Sequence, residues 1–421
     1  MSNYKVGYKE EIITPKLGCL LAGYDVIRKA EEIHDELKAR VLTLRGKDNY
    51  LIVQLDLVGV DYHFVGLVKN SVSSLNFNEK NIFVSTSHTH SGPTGTMNTN
   101  EGYQKGLKQV FGEYDAEYVD YIVNKVKQAV VDAISNEDSA KLSVSRKMVN
   151  NICSNRNNKD WFYDNELISI NLLRKDGKKV LLYNLSCHPT VMSSDNLSIT
   201  GDFPNKTEEM LNEYDLVMFL NGSCGDISTR FTRNASTFEE VDRIGTQVSL
   251  EIRNMPEVNS YEDIEKVNSI ELEIPLLVKE FDSVEHAKEK VKEKAREVEI
   301  AKSKNMDSKS LRLLESKLEG LTNNYKMALG FSDVKEIVAK VKILKVNNYN
   351  LIYIPGELFS SLGKRIKDNN SKNNIVIGYG NGYIGYIPDK FAYEVKTYET
   401  FSSPFKEGEG ERLVEEILLN I

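Results

Sequence analysis

The chain is short of several things that would signal a particular class of protein. Cysteine occurs only four times in 421 residues, at Cys19, Cys153, Cys187 and Cys224. These are far apart and form no CxxC pair, which argues against a disulfide framework and against a cysteine zinc site. No apolar run approaches the roughly 20 residues of a membrane-spanning helix. Residues 1–7 contain no apolar core of a secretory signal, so a cytoplasmic location is expected. A basic excess is also missing. Fifty-four Lys and Arg stand against 62 Asp and Glu, a net charge of −8. A phosphate backbone needs a basic surface, so nucleic acid is excluded as the main partner. Histidine is scarce as well, with six in the chain, and three of these fall in two short segments.

The first segment is Ser85-Thr86-Ser87-His88-Thr89-His90-Ser91-Gly92-Pro93, directly after the apolar run Asn81-Ile82-Phe83-Val84. Residues i and i+2 of a strand point to the same side, so His88 and His90 at a strand end can aim two imidazoles into one cleft. The second segment is Ser186-Cys187-His188-Pro189, after the run Val180-Leu181-Leu182-Tyr183-Asn184-Leu185. Two neutral imidazoles joined by a carboxylate make a divalent metal set of the zinc-hydrolase type.

The same pattern, a strand running into a polar, Gly-rich loop, recurs along the chain. Leu216–Leu220 leads into Gly222-Ser223-Cys224-Gly225-Asp226-Ile227-Ser228-Thr229-Arg230, and residues 351–354 lead into Gly356-Glu357. The strand at 374–379 leads into Tyr383-Ile384-Gly385-Tyr386-Ile387-Pro388. Functional groups tend to sit on such loops over a rigid sheet. Each residue also has a structural reading. Glu357 is suited to capping a following helix, Ser228 to a turn, Tyr386 to half-buried packing, and Cys187 and Cys224 to small buried positions.

A hairpin is expected from Ala39–Leu44 and Leu51–Asp56, and helices over about 62–74 and 115–135, where Tyr118, Ile122, Val126, Val130 and Ile134 recur at helical spacing. The fold class that follows is α/β, with mixed sheets flanked by helices. Residues 1–421 are read as one catalytic domain. Residues 283–327 differ in kind, being rich in Lys and Glu and free of Pro. Val284, Ala287, Val291, Ala295 and Val298 recur at heptad-like spacing, as do Leu311, Leu314, Leu318 and Leu321. This predicts a helical-hairpin insertion turning at residues 304–308, with Asp307 or Ser308 as N-cap. Its first reading is a solvated excursion; its alternatives are a lid, a partner-binding element or a homo-oligomer contact.

In combination these motifs resemble the catalytic domain of the neutral, non-lysosomal ceramidase family. The matches run in order over nearly the whole chain apart from about 280–330. They begin with Val6-Gly7-Tyr8, Ile13-Thr14-Pro15, Ala22-Gly23-Tyr24 and Ile33-His34-Asp35, and go on to Ser87–Pro93, Asn155-Arg156 and His188-Pro189-Thr190. They end with Gly225-Asp226-Ile227-Ser228, Pro355-Gly356-Glu357, Gly385-Tyr386-Ile387 and Tyr398. The resemblance implies zinc held by His88, His188, Glu357 and Tyr386. It implies His90 lining the site, Ser228 as nucleophile, and Arg156 and Tyr398 facing the scissile amide. No dedicated base for Ser228 is evident, so attack by Ser228 or by a zinc-activated water both stay open.

Several features depart from that family. Its members that act on membrane ceramide carry a further C-terminal immunoglobulin-like domain, for which no room is left before Ile421. Thr229-Arg230 stands where Pro-Asn is usual, and Pro-Thr follows His188. The expected activity is therefore zinc-dependent hydrolysis of a lipid or small-molecule N-acyl amide, ceramide-like or smaller. An esterase or lactonase using the same zinc, and a non-catalytic metal-binding protein whose hairpin binds a partner, are the alternatives.

Overall fold

The computed structural model describes residues 2–256, 260–304, 306, 308–369 and 373–421. Two sheets form its centre. The larger runs, in spatial order, Leu216–Asn221, Lys179–Leu185, Glu166–Arg174, Asp138–Met148, Lys5–Ile12, Lys38–Arg45, Asn49–Leu55 and Ile82–Thr86, with Glu262–Asp263 pairing at Asp138–Met148. It is mixed. The pairs at its two ends, Leu216–Asn221 with Lys179–Leu185 and Asn49–Leu55 with Ile82–Thr86, are parallel, and the others are antiparallel. The smaller sheet runs Val267–Leu277, Glu336–Val346, Tyr349–Tyr353 and Asn374–Ile377.

Period-2 patterning explains how the sheets pack. In Lys38–Arg45 and Asn49–Leu55, Leu42, Leu44, Tyr50 and Ile52 join Leu344, Val346, Leu351, Tyr353 and Ile375 of the small sheet in one buried cluster. The alternate residues Ala39, Val41, Leu51 and Val53 face the other way, onto Phe64, Val68, Ile122, Val126 and Val130 of the helices Tyr62–Ser71 and Ala116–Ser135. The outer face of the small sheet, with Ala339, Val341 and Ile343, packs on Leu362, Ile366, Leu413 and Ile417 of Ser360–Asp368 and Glu409–Leu418. Two sheets sandwiched between helices give the expected α/β class.

The helical hairpin is present as Val284–Ser303 and Ser308–Phe331. Asn305 and Asp307 lie outside the described residues, as does the side chain of Ser308, so the expected cap does too. The expected end at 327 is short by one helical turn, because the apolar period alone could not mark where the helix docks. Met327, Ala328 and Phe331 are buried in the main core. Phe331 stacks on Tyr103 at 5.9 Å and on Phe281 at 5.8 Å between ring centroids. A Cβ on Gly330 would lie 2.3 Å from the Gly106 nitrogen, so only glycine lets the helix cross the turn at Gly102–Leu107 this closely. The root of the hairpin is thus fixed. Among the described side chains, its outer turns are mostly exposed or half-buried. Among the described residues no helix is long and apolar enough to cross a membrane.

Candidate active site and metal centre

The loops that carry the reactive residue types meet at one end of the sandwich. The two edges of the large sheet approach each other there, and Asn221 Nδ2 donates to the Ser87 carbonyl at 3.1 Å. His88 follows Ile82–Thr86 and His188 follows Lys179–Leu185. Short pairings lock the remaining loops. Ile227–Ser228 pairs antiparallel with Ser154–Asn155, His188 bridges to Ser228, and Glu357–Leu358 runs parallel to Tyr386–Ile387. A Cβ on Gly225 would lie 2.5 Å from the Glu357 carbonyl oxygen, which is why glycine occupies that turn.

His88, His90 and His188 are buried, and their ligand nitrogens lie within 4.8 Å of one another, so this group can bind a metal. His88 has φ of 67°, a left-handed conformation that costs a non-glycine residue about 1–3 kcal/mol. Its Nδ1 donates to the Val58 carbonyl at 2.6 Å, and His188 Nδ1 donates to the Ile227 carbonyl at 3.0 Å. Each of these rings therefore presents a bare Nε2 to the centre, the tautomer a metal ligand requires. Burial pushes the His88 pKa down to about 3 against the opposing charge of Glu357, so the ring is neutral. Burial, then the Arg156 charge, lowers His188 well below its ordinary value.

Glu357 closes the group from the small-sheet side. Its Oε2 stands 3.0 Å from His188 Nε2 and 3.6 Å from His88 Nε2. The carboxylate accepts the Tyr383 hydroxyl, and the Tyr379 hydroxyl at 3.2 Å. The residue does not cap Ser360–Asp368, whose N-cap is Phe359. Arg156 spans the front of the centre. One terminal nitrogen lies 3.2 Å from His188 Nε2 and the other donates to the Tyr386 hydroxyl at 3.0 Å. Its Nε donates to Glu399 at 2.6 Å.

The donor set fits a divalent ion. Two neutral imidazoles with their far nitrogens pinned, and a carboxylate held by two hydroxyls, all converge in a buried space. Known proteins share this arrangement of sheets and loops. The family profile "Neutral/alkaline non-lysosomal ceramidase, N-terminal" matches residues 4–215, half of the chain. The chain belongs to this family. Its fold is similar to that of the neutral ceramidase from Pseudomonas aeruginosa, with a TM-score of 0.78 at 14% identity over 99% of this chain and 74% of that one. A second structure, described as a ceramidase complexed with C2, gives a TM-score of 0.77 at 14% identity over the same shares. No curated protein matches the sequence significantly. Membership makes the chain a hydrolase of ceramidase type with a lipid N-acyl substrate class.

Against this ceramidase frame the expected site residues separate into layers. His88, His90 and His188 form the buried histidine group, Glu357 faces two of them, and Tyr386 is tied to the group through Arg156. His90 sits closer than a lining role requires, with its Nε2 3.1 Å from His88 Nε2. Its Nδ1, however, is buried without a hydrogen-bond partner. Ser228 is buried and borders a 230 Å³ cavity with His90 and Arg156. Its Oγ accepts the Arg230 backbone N–H at 3.2 Å, and among the described residues no imidazole or carboxylate hydrogen-bonds to it. Tyr398 lies at the rim, 58% exposed, with its ring centroid 6.3 Å from that of Tyr386.

Reading the sequence missed the residues that hold this set in place. Glu399, beside the exposed Tyr398, is the buried partner of Arg156, and it also accepts Asn157 at 3.0 Å. Arg28 is buried and donates to the His90 carbonyl at 2.7 Å. Gly23, in the Ala22-Gly23-Tyr24 motif named from the sequence but with no role given it there, has φ of 95° and leaves room for the His90 ring, which a Cβ would meet at 2.5 Å. No local pattern marks such partners, because each acts across a long sequence gap. The motif at 33–35 proves to be scaffold: Asp35 accepts Gly201 N at 2.9 Å and anchors the loop at 200–205.

Proposed function

We propose that the chain is a zinc-dependent hydrolase that cleaves the amide bond of an N-acyl substrate. The observation that carries this reading is the pair of pinned imidazoles, His88 and His188, presenting bare Nε2 atoms beside the Glu357 carboxylate. These three would hold the ion, with Tyr386 as a further oxygen ligand. When bound, the zinc supplies Lewis acidity toward the amide carbonyl.

The chain's own residues supply the rest. Arg156 is a fixed cation facing the centre, held by Glu399, and is placed to stabilise negative charge developing on the amide oxygen. Burial, and secondly His88, keep His90 well below its ordinary pKa, so the ring is unprotonated, and its buried Nδ1 has no partner competing for a proton. It takes a proton from the attacking hydroxyl and returns it to the leaving nitrogen. Ser228 borders the same cavity and is the proposed nucleophile. The missing hydrogen bond between Ser228 Oγ and any base favours one second reading, in which water attacks and Ser228 only binds the substrate. Tyr398, at the rim, contacts the substrate as it enters.

The test is metal analysis of the purified protein together with turnover of matched N-acyl amides, esters and lactones. Stoichiometric zinc with amide cleavage supports the proposal. Zinc with cleavage of esters or lactones alone moves the chemistry to an esterase or lactonase. Protein that folds and turns over nothing with zinc bound rejects it.

A further inference from the structure

The 230 Å³ cavity beside the centre has an unusual charge composition. Arg156, Arg230 and Arg233 all line it, and no carboxylate does. The whole chain carries a net charge of −8, so this concentration of cations runs against the overall balance. Arg156 is neutralised from outside the cavity by Glu399 at 2.6 Å. Arg230 and Arg233 are not: among the described residues neither makes an ion pair. Each is braced by one terminal nitrogen on backbone carbonyls, Arg230 on Arg156 at 3.0 Å and Arg233 on Thr190 and on Val191 at 3.2 Å. Their other guanidinium nitrogens have no protein partner among the described residues. Hydroxyls complete the lining, from Tyr24, Thr190, Ser193 and Ser194.

Arg233 is half-buried and Arg230 lies exposed at the mouth, so a neutral substrate head made of hydroxyls and an amide would cover two guanidiniums without pairing them, at a cost in affinity for the part it desolvates. A planar guanidinium is suited to an oxyanion, which it can meet with two parallel hydrogen bonds. The cavity has space for a headgroup of a few atoms, with the acyl chain left to run outside it. We propose that this cavity is an anion subsite and that the substrate is an acidic N-acyl amide, such as an N-acyl amino acid whose carboxylate lies two bonds from the amide nitrogen. In the reaction the acyl C–N bond breaks, water delivers its oxygen to the acyl carbon, and a proton goes to the amino nitrogen. The products are a fatty acid and an amino acid. The substrate class rests on the hydrolase reading above, whereas the subsite can be tested without turnover.

The experiment uses the full chain loaded with zinc. Turnover of N-dodecanoylglycine and N-dodecanoyltaurine is compared with that of N-dodecanoylethanolamine and a short-chain ceramide. Binding of N-dodecanoylglycine is measured in parallel by calorimetry. The acidic amides should show kcat/KM at least about tenfold above the neutral ones, the scale of one charge-assisted hydrogen bond. Arg230→Asn should collapse that ratio and weaken calorimetric binding, and Arg230→Lys should restore part of both. Carboxylate and sulfonate arms show whether any anion serves or only an amino acid. Acidic amides that bind through Arg230 without being cleaved would uphold the subsite and overturn the hydrolase reading. Neutral amides cleaved as well as acidic ones, with the ratio and the binding unmoved by Arg230→Asn, would overturn the subsite and spare the hydrolase.

Discussion

His188 Nε2 and Glu357 Oε2 face each other at 3.0 Å. The His188 Nδ1–H is already given to the Ile227 carbonyl, so both facing atoms are acceptors. Two acceptors in a buried space repel unless a cation or a proton relieves them; the Arg156 guanidinium, 3.2 Å from His188 Nε2, does so for the imidazole alone. His88 Nε2, 3.6 Å from the same carboxylate oxygen, repeats the arrangement.

One divalent ion per chain is therefore expected, zinc in preference to magnesium because two ligands are imidazoles. His88→Ala or His188→Ala should empty the centre, and a chelator should abolish hydrolysis until zinc is restored. Elemental analysis of gel-filtered protein measures this directly. Retention of stoichiometric zinc by the double alanine variant would sink the assignment.

His90 should separate from the other two. Its Nε2–H donates to His88 Nε2 at 3.1 Å and its Nδ1 has no partner, whereas His88 and His188 have Nδ1 pinned and Nε2 bare. His90→Ala is expected to keep metal while lowering kcat by about a hundredfold, as for loss of a general base. Loss of the metal in that variant would make His90 a ligand instead.

For Ser228→Ala a fall in kcat of at least about a hundredfold is expected, equivalent to about 2.7 kcal/mol of transition-state stabilisation. Near-normal kcat with metal intact would demote Ser228 and leave water as the attacker.

The legible part of this site was the part written in short motifs. HTH, the His188 segment, Gly-Asp-Ile-Ser and Gly-Glu each follow an apolar run, and strand ends place such loops together by topology alone. The strands themselves were legible from period 2, with Leu42, Leu44, Tyr50 and Ile52 against Ala39, Val41, Leu51 and Val53. Partners joined across the chain were not. Arg156 and Glu399 are 243 residues apart, and an isolated glutamate carries no local sign of a buried ion pair. The docking turn of the hairpin was hidden for the same reason, since Gly330 reads as a helix breaker until Gly106 is seen beneath it.

Lys342 gives a pH-dependent signature of stability. It is buried in the small sheet, with its ammonium on the Glu79 and Ile82 carbonyls and 4.6 Å from the Phe83 ring centroid. Burial pushes its pKa from 10.5 down to about 7. Between those values the unfolded chain binds the proton and the folded chain releases it, so folding becomes more favourable as pH rises through that window. Every tenfold by which folding eases the loss of this proton is worth about 1.4 kcal/mol. Lys342→Met removes this dependence. The melting temperature of the wild type relative to that variant should rise from pH 7 to pH 9.5, as read by calorimetry. A difference independent of pH would show that the ammonium is not strained by its burial.

The helical hairpin should divide into an outer part that is dispensable to the centre and a root that is not dispensable to the fold. The root is the last turn of Ser308–Phe331, where Phe331 is 1% exposed and Lys326 pairs with Asp25 at 2.6 Å. Phe331→Ala should cost about 3–5 kcal/mol, through lost burial and the cavity left against Tyr103 and Phe281. Leu314→Ala, at a half-buried position on the second helix of the hairpin, should cost much less. Replacing residues 285–323 by a Gly/Ser linker spares the root, and among the described residues removed none lies in the histidine group. That variant should fold and keep its zinc. If the hairpin acts as a lid, its activity on long-chain amides should fall while short-chain turnover holds. Metal loss from a folded linker variant would show that the hairpin helps to build the centre.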